Sequence, residues 1–375
     1  MTAARMEWLD RFAKKVGRQV TKSPHSFPHV TEGGRWGTTP DGNWTGGFWV
    51  GQLWWLWKLT GDPAWRQAAE GCLTRLAPRK DALQVDFDLG FLFHYSSALG
   101  YDLTGEPTYR DVALGAADRL LTLVHPVNGL IYHVYPERVA RHGPTTGSSI
   151  VDVMMNLSLL WWAHEQTSEK RYYDAAVGHS RQTAQWFVRP DGSTVQVVDF
   201  DVETGAFLRH DTHQGHVPGS CWSRGQAWAI YGFWLSWQHT GESLFRQMHD
   251  RLLAYWADNV SEDGVPPWDF DAPSESKDVR DTSAAAIACA ALARAGRHTE
   301  WRSALHQSML ASLTGPYLAP DEVDGVLSGG CWHYPAGWGV NEATVWGDYF
   351  LLEVLSRGVK PVRCRKGLQA RLPSL

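Results

Sequence analysis

Asp152 stands in an otherwise largely apolar stretch, SSIVDVMMNLSLLWWA at 148–163, with Val151 and Val153 on either side. Burying a carboxylate among such neighbours is expensive unless a partner, a hydrogen bond or a shifted pKa compensates. A second acid, Asp88, opens another apolar run, DFDLGFLFHYSSALG at 86–100. Two carboxyls in one partly dry site push their pKa values apart, leaving one protonated and one ionised, as general acid/base catalysis requires. Ser148, Asp152 and Asn156 are spaced four apart and read as one polar stripe on a helix. So placed, Asp152 lies too deep to cap its helix, and its alternative role is a structural buried hydrogen bond. Asp88 also suits an N-cap. Arg224, beside Trp222 in WSRGQAW, has the planar fork that grips a carboxylate at two points. Its alternative is a structural ion pair with an acid such as Asp281 or Glu342. His210, His213 and His216 in RHDTHQGH resemble metal ligands, but their spacing fits no standard zinc motif. No metal or other cofactor is expected, and His213 and His216 read as pocket lining.

The elements that must position these residues show in the punctuation. LTGDPAW (59–65) recurs as LTGEPTY (103–109) and more loosely as QTSEKRYY (166–173), HTGESLF (239–245) and AGRHTEW (295–301). Each copy stops one apolar run at a turn and starts an amphipathic helix, the chemistry of helical hairpins. Six runs, beginning near 43, 86, 148, 220, 281 and 341, open on polar residues and continue almost wholly apolar. Helices apolar all round are buried. Six of them alternating with six amphipathic helices predict an all-α (α/α)6 barrel, one domain over 1–375. Alternation makes the inner helices parallel, so their polar N-termini and positive dipole ends gather at one mouth. The long connections 125–147, 189–219 and 315–340 are expected around it.

Composition narrows the partners. The chain of 375 residues carries a formal charge of -5, which offers no footprint for nucleic acid. No apolar run reaches the roughly 18 residues of a membrane span. The opening MTAARMEWLDRFAKKVG reads as an amphipathic helix, not a secretory signal. Cysteines 72, 221, 289, 331 and 364 form no CxxC pair, which points to a reducing cytoplasm. The 21 tryptophans exceed what the core needs; most are expected to pack inside and a minority to offer flat faces to sugar rings. The oligomeric expectation is a monomer or weak homo-oligomer.

Five segments in order carry a family resemblance: DLGFLF (88–93), SSIVDVMMNLSLLWWA, THQG (212–215), WSRGQAW and GVNEATVWGDYFLLE (339–353). Together they resemble the unsaturated glucuronyl hydrolases of glycoside hydrolase family 88, from about Trp44 to Glu353. The resemblance implies the barrel fold and a substrate made by a polysaccharide lyase, an oligosaccharide with a 4,5-unsaturated glucuronic acid at its non-reducing end. It implies that the position of Asp152 protonates C4 and then activates the water that adds to C5, with Asp88 assisting. Trp44, Gln214, Trp222, Arg224 and Trp228 match pocket positions. Gln196 stands where the family has a pocket histidine. The 331–338 loop, CWHYPAGW, lacks the Ser and Lys of members acting on sulfated chains, so unsulfated substrates are expected. The competing readings are an unsaturated rhamnogalacturonyl hydrolase, an inverting glycosidase on the same barrel and a non-catalytic sugar-binding protein.

Overall fold

A computed structural model describes residues 3–82, 84–296 and 299–357. Cys364 and residues 297–298 of the fifth repeat copy lie outside the described residues. Helix α1 (Ala3–Lys22) precedes α2 (Gly46–Thr60) and α3 (Pro63–Leu76). A broken helix follows, α4 (Leu89–Phe93) and α5 (Leu99–Thr104) joined by a π-helical turn at His94–Ala98, and then α6 (Pro107–Leu121). After the short α7 (Pro136–His142) come α8 (Val153–Asn156), α9 (Ser158–Thr167) and α10 (Lys170–Trp186). The chain continues through α11 (Ser223–Thr240), α12 (Ser243–Asn259), α13 (Thr282–Ala295), α14 (Glu300–Leu313) and α15 (Val345–Ser356).

The inner ring closes on itself. Helix α2 packs on α4, α4 on α8, α8 on α11, α11 on α13, α13 on α15, and α15 back on α2. Outside, α3, α6, α10, α12 and α14 each pack on the inner helix they follow, while α1 touches α2 and α15. The hairpin punctuation works as the sequence implies. Gly61, Gly105 and Gly241 end inner helices in the left-handed conformation, each donating its N–H back to the helix, and Ser168 takes that place in the third hairpin. Asp62 and Glu106 then cap the next helix with a side-chain acceptor, each followed by proline.

The loops around the barrel add a feature the sequence did not announce, and one expectation needs correcting. The mouth carries strands: β1 (Phe27–Glu32) pairs with β2 (Arg35–Thr39), β3 (Thr146–Ile150) with β4 (Val197–Asp201), β4 with β5 (Phe207–Asp211), and β6 (Gly330–His333) with β7 (Trp338–Glu342). These segments are four to six residues long, too short for a search tuned to helical periods. They tie the loops to the barrel, as where Thr31 N–H donates to Ala343 O at 2.9 Å, just before α15. The polar stripe on one helix is not formed. Ser148 lies in β3 opposite Asp199, and the helix begins only at Val153. The spacing of four was coincidental, because the backbone is extended up to Ile150.

Candidate active site

Asp152 occupies the N-cap position of α8 and makes no capping bond with its side chain. It is 7% exposed, and its Oδ2 has no hydrogen-bond partner. Burial lifts its carboxyl to about 7; the Arg224 charge and the Trp228 indole oppose that rise, and Asp86 adds to it. The indole Nε1 approaches without completing a hydrogen bond. A carboxyl in this state holds a proton near neutrality and has an oxygen left free for chemistry.

Asp88 sits at the corresponding place on the neighbouring inner helix, the N-cap position of α4, and likewise makes no capping bond. Burial pushes its carboxyl well above the usual carboxylate range, with Asp86 and Asp152 adding to the effect. Asn156 links the two helices: its Oδ1 accepts from Phe91 N–H at 2.6 Å, its Nδ2 donates to Asp152 O at 3.4 Å, and its amide opposes the rise of the Asp88 carboxyl. Gly90 permits that approach, since a Cβ there would lie 2.4 Å from the Asn156 backbone. The glycine of DLGF is thus a packing requirement of the acid pair.

The remaining candidates divide into wall and support. Trp44 is half-buried, its ring 4.8 Å from Trp346 and 5.8 Å from Phe91. Trp228 is fully buried beneath the acids against Phe91 and Phe350. Trp222 is buried as well, with the Arg224 guanidinium stacked on it. The Arg224 fork is largely spent inside the protein: Nη1 donates to Asp281 Oδ2 and Cys331 O, and Nη2 to Trp332 O. Of the two roles read for Arg224, the ion pair with Asp281 is the one formed, with Nε left unpartnered. Gln214 Nε2 also donates to Trp332 O, while its Oε1 accepts from Gln196 Nε2. Gln196 is buried and receives Thr212 Oγ1 and the N–H groups of His213 and Gln214, so it shapes the THQG loop.

His213 is solvent-accessible and meets His333 edge-to-face at 4.8 Å. Burial lowers both rings, His333 to about 4. His216 is exposed, its N–H bound to Asp269 and its ring edge-on to Trp268. The histidines of RHDTHQGH do not converge: His210 Nε2 instead meets Trp186 O at 3.2 Å. Among the described residues His142, Asp199 and Asp211 do converge, but Arg138 already donates to both carboxylates. A guanidinium fills the position a cation would take.

Sequence reasoning missed Asp86 and Tyr135. The Tyr135 hydroxyl donates to Asp86 Oδ2 at 3.0 Å, and Asp86 Oδ1 accepts from Asp88 N–H at 3.0 Å. Asp86 was visible as the first acid of DFD; nothing in the local pattern around Tyr135 marks it.

The mouth of the barrel thus holds an acid pair in which Asp152 is buried with one oxygen unsatisfied and Asp88 is half-buried. The model of Glycosyl Hydrolase Family 88 matches residues 8–349. The chain belongs to this family. It is 33% identical to the unsaturated glucuronyl hydrolase of Bacillus sp. (strain GL1) over 365 residues, covering 93% of this chain and 96% of that one. The crystal structure of the Bacillus sp. GL1 hydrolase superposes with a TM-score of 0.88 over 95% of this chain and 98% of its own. The unsaturated chondroitin disaccharide hydrolase of Streptococcus pneumoniae is 31% identical over 84% of this chain and 82% of its own. A variant of the unsaturated glucuronyl hydrolase from Streptococcus agalactiae, solved in complex with dGlcA-GalNAc6S, matches with a TM-score of 0.79 at 28% identity over 94% of this chain and 90% of its own. Among the described residues, no helix is long and apolar enough to cross a membrane.

Proposed function

We propose that this single-domain barrel is an unsaturated glucuronyl hydrolase that removes the 4,5-unsaturated glucuronic acid from the non-reducing end of lyase-generated oligosaccharides. The observation that carries the reading is the Asp152 carboxyl, lifted to about 7 by burial with Oδ2 free. Hydration of a vinyl ether needs such a group. Protonated Asp152 gives its proton to C4, and positive charge develops at C5 and the ring oxygen. The resulting carboxylate takes a proton from water as the water oxygen bonds to C5, which restores the acid. The C5 hemiketal opens to a ketone, and the hemiacetal left at C1 expels the second sugar. The group acts as acid and then as base, so a pKa near the working pH serves both halves.

Asp88 holds ring hydroxyls and keeps a second carboxyl beside the acid. Trp44 offers an accessible aromatic face, and Gln214 and His213 line the rim. Trp222, Trp228 and Arg224 act from beneath, by packing and by charge. Among the described residues, four buried free thiols suit a cytoplasmic site of action. A sugar-binding protein gains little from a carboxyl so costly to bury, which favours the enzyme over that alternative.

The deciding experiment mixes the protein with unsaturated disaccharides from chondroitin, hyaluronan, heparin and gellan lyases. The expected result is loss of the ultraviolet absorbance of the conjugated C4=C5 unit. Turnover of pectin-derived unsaturated rhamnogalacturonyl substrates alone would replace this reading with the pectin one. In water–methanol mixtures the expected trapped product is a C5 methyl ketal still carrying its second sugar. A C1 methyl glycoside with the double bond intact would overturn the hydration step.

A further inference from the structure

Asp86 and Tyr135 come from segments far apart in the chain and meet at the acid pair. Asp86 uses both oxygens, Oδ1 on the Asp88 N–H and Oδ2 on the Tyr135 hydroxyl, each at 3.0 Å. Tyr135 is itself held in place: it occupies the N-cap position of α7, and its carbonyl accepts from Arg138 N–H at 3.0 Å. Arg138 then pins α7 to the mouth sheet, donating to Ser148 Oγ at 2.7 Å, Asp199 Oδ2 at 2.7 Å and Asp211 Oδ2 at 2.9 Å. The chain of contacts therefore runs from the β3–β5 sheet through α7 and Tyr135 to Asp86, and from Asp86 to the backbone of Asp88.

We propose that Asp86, anchored by Tyr135, is a positioning residue that fixes the entry of α4 so that Asp88 faces Asp152, and that places a third carboxyl beside both. This rests on the hydrolase reading above and deepens it. The charges facing the group are few and named. Asp152 approaches from the N-cap of α8 and Asn156 from the last residue of that helix, Tyr135 from the N-cap of α7, Arg79 from the turn at 77–81, and Arg224 acts on Asp152 from α11. Asp86 raises both acids, directly behind burial in its effect on Asp88, whereas Arg79 and Arg224 oppose it. Burial first, and then Asp86, Asp88 and Asp152, push the Tyr135 hydroxyl well above its ordinary value, so it stays a donor across the working range. Removing the Asp86 charge therefore lets Asp152 lose its proton at lower pH, and the form able to protonate C4 disappears earlier as pH rises.

The test compares Asp86→Asn, Asp86→Ala and Tyr135→Phe with wild type in two ways. One is the pH profile of kcat/KM on an unsaturated disaccharide. The other is titration of 13C-labelled aspartate carboxyls by NMR, assigned with Asp88→Asn and Asp152→Asn. Asp86→Asn keeps an acceptor for Asp88 N–H and removes the charge. Its alkaline limb and the Asp152 titration should both move to lower pH by about half a unit or more. Asp86→Ala, which also frees the Asp88 amide, should lose a further tenfold or so in kcat with little change in KM. Tyr135→Phe should lower kcat by about threefold to tenfold while leaving the melting temperature within a few degrees. Superimposable profiles and titrations for Asp86→Asn would overturn the proposal, as would an Asp86→Ala variant that is folded and fully active. If wild type turned over no unsaturated disaccharide, the hydrolase reading would fail, while the NMR titration would still show whether Asp86 acts on the pair.

Discussion

Two aspartates in this barrel share a perturbation and differ in what surrounds them. Asp152 and Asp348 are both buried, and burial lifts each carboxyl to about 7. Asp348, in the first turn of α15, accepts the backbone N–H groups of Val326 and Leu327 at 2.9 and 2.8 Å. Lys15 grips the same loop from α1, its Nζ donating to the carbonyls of Ala319, Pro320, Val323 and Gly325. Both Asp348 oxygens are occupied, and the residue fastens a loop. Asp152 has one oxygen that nothing satisfies. A shifted pKa alone does not mark a working acid; a shifted pKa with spare bonding capacity beside a second raised carboxyl does.

The sharpest way to break that comparison is to make the same substitution in both. Asp152→Asn should lower kcat by about 10²–10⁴-fold or more, because the amide keeps the shape and cannot donate the proton. Asp348→Asn should leave kcat within a few-fold and cost roughly 1–3 kcal/mol of stability, since an amide NH₂ replaces one of two acceptors. A folded Asp348→Asn variant as dead as Asp152→Asn would end the distinction. Chemical denaturation alongside single-substrate kinetics measures both quantities.

A second contrast sits at the N-termini of inner helices. Asp281 caps α13 by accepting from Ser283 and Ala284 N–H and pairs with Arg224 at 2.7 Å, both side chains fully buried. Asp88 occupies the same position on α4 and caps nothing. Asp281→Asn should cost about 3–5 kcal/mol, as expected when a buried ion pair loses one partner. Asp88→Asn should leave the melting temperature nearly unchanged and lower kcat/KM instead. Equal stability losses in the two variants would show that Asp88 is structural.

The pH dependence of stability separates Asp152 from its surroundings with a smaller effect. Its folded carboxyl holds a proton to about 7, whereas the ordinary carboxylate ionises near 3.8. The stability this contributes is complete below the unfolded value and is lost as pH rises through about 7. Asp152→Asn removes that loss. Its melting temperature relative to wild type should therefore rise by a few degrees from pH 5 to pH 8. A constant difference across that interval would mean that Asp152 does not titrate as its burial implies.

What was legible in the sequence follows the range of the interactions. The hairpin turns were readable because Gly61–Asp62–Pro63 and Gly105–Glu106–Pro107 fix caps within a few residues. The inner helices were readable because few polar residues interrupt their apolar runs. Asp88 and Asp152 stood out through local incongruity. The start of α8 was misplaced because Ser148–Ile150 take their conformation from β4, some fifty residues away. An ion pair of Arg224 with Asp281 could be named as one option, but its contacts to the Cys331 and Trp332 carbonyls, and the pairing of Tyr135 with Asp86, are likewise long-range. Spacing within one segment carries no trace of them.

The same division between satisfied and spare groups governs which sugars the mouth should take. A sulfate group leaves water only where charge-assisted donors replace its hydration. The arginines around the acids and the mouth sheet are already engaged, Arg224 with Asp281, Arg138 with Asp199 and Asp211, Arg209 with Asp199 and Arg79 with Asp41. The 331–338 loop contributes His333, lowered to about 4, which faces His213, also lowered. At neutral pH that pair offers dipoles and no charge. Unsulfated disaccharides should thus show the higher kcat/KM, by roughly threefold to tenfold over their 6-sulfated forms, or about 1 kcal/mol. The ratio should stay flat from pH 8 to pH 6, because His333 gains no proton there. A higher kcat/KM for the sulfated sugar at pH 7 would mean that a cation counted here as engaged is released to the substrate. A preference that turns towards sulfate only as pH falls would instead locate the charge on the His213–His333 pair.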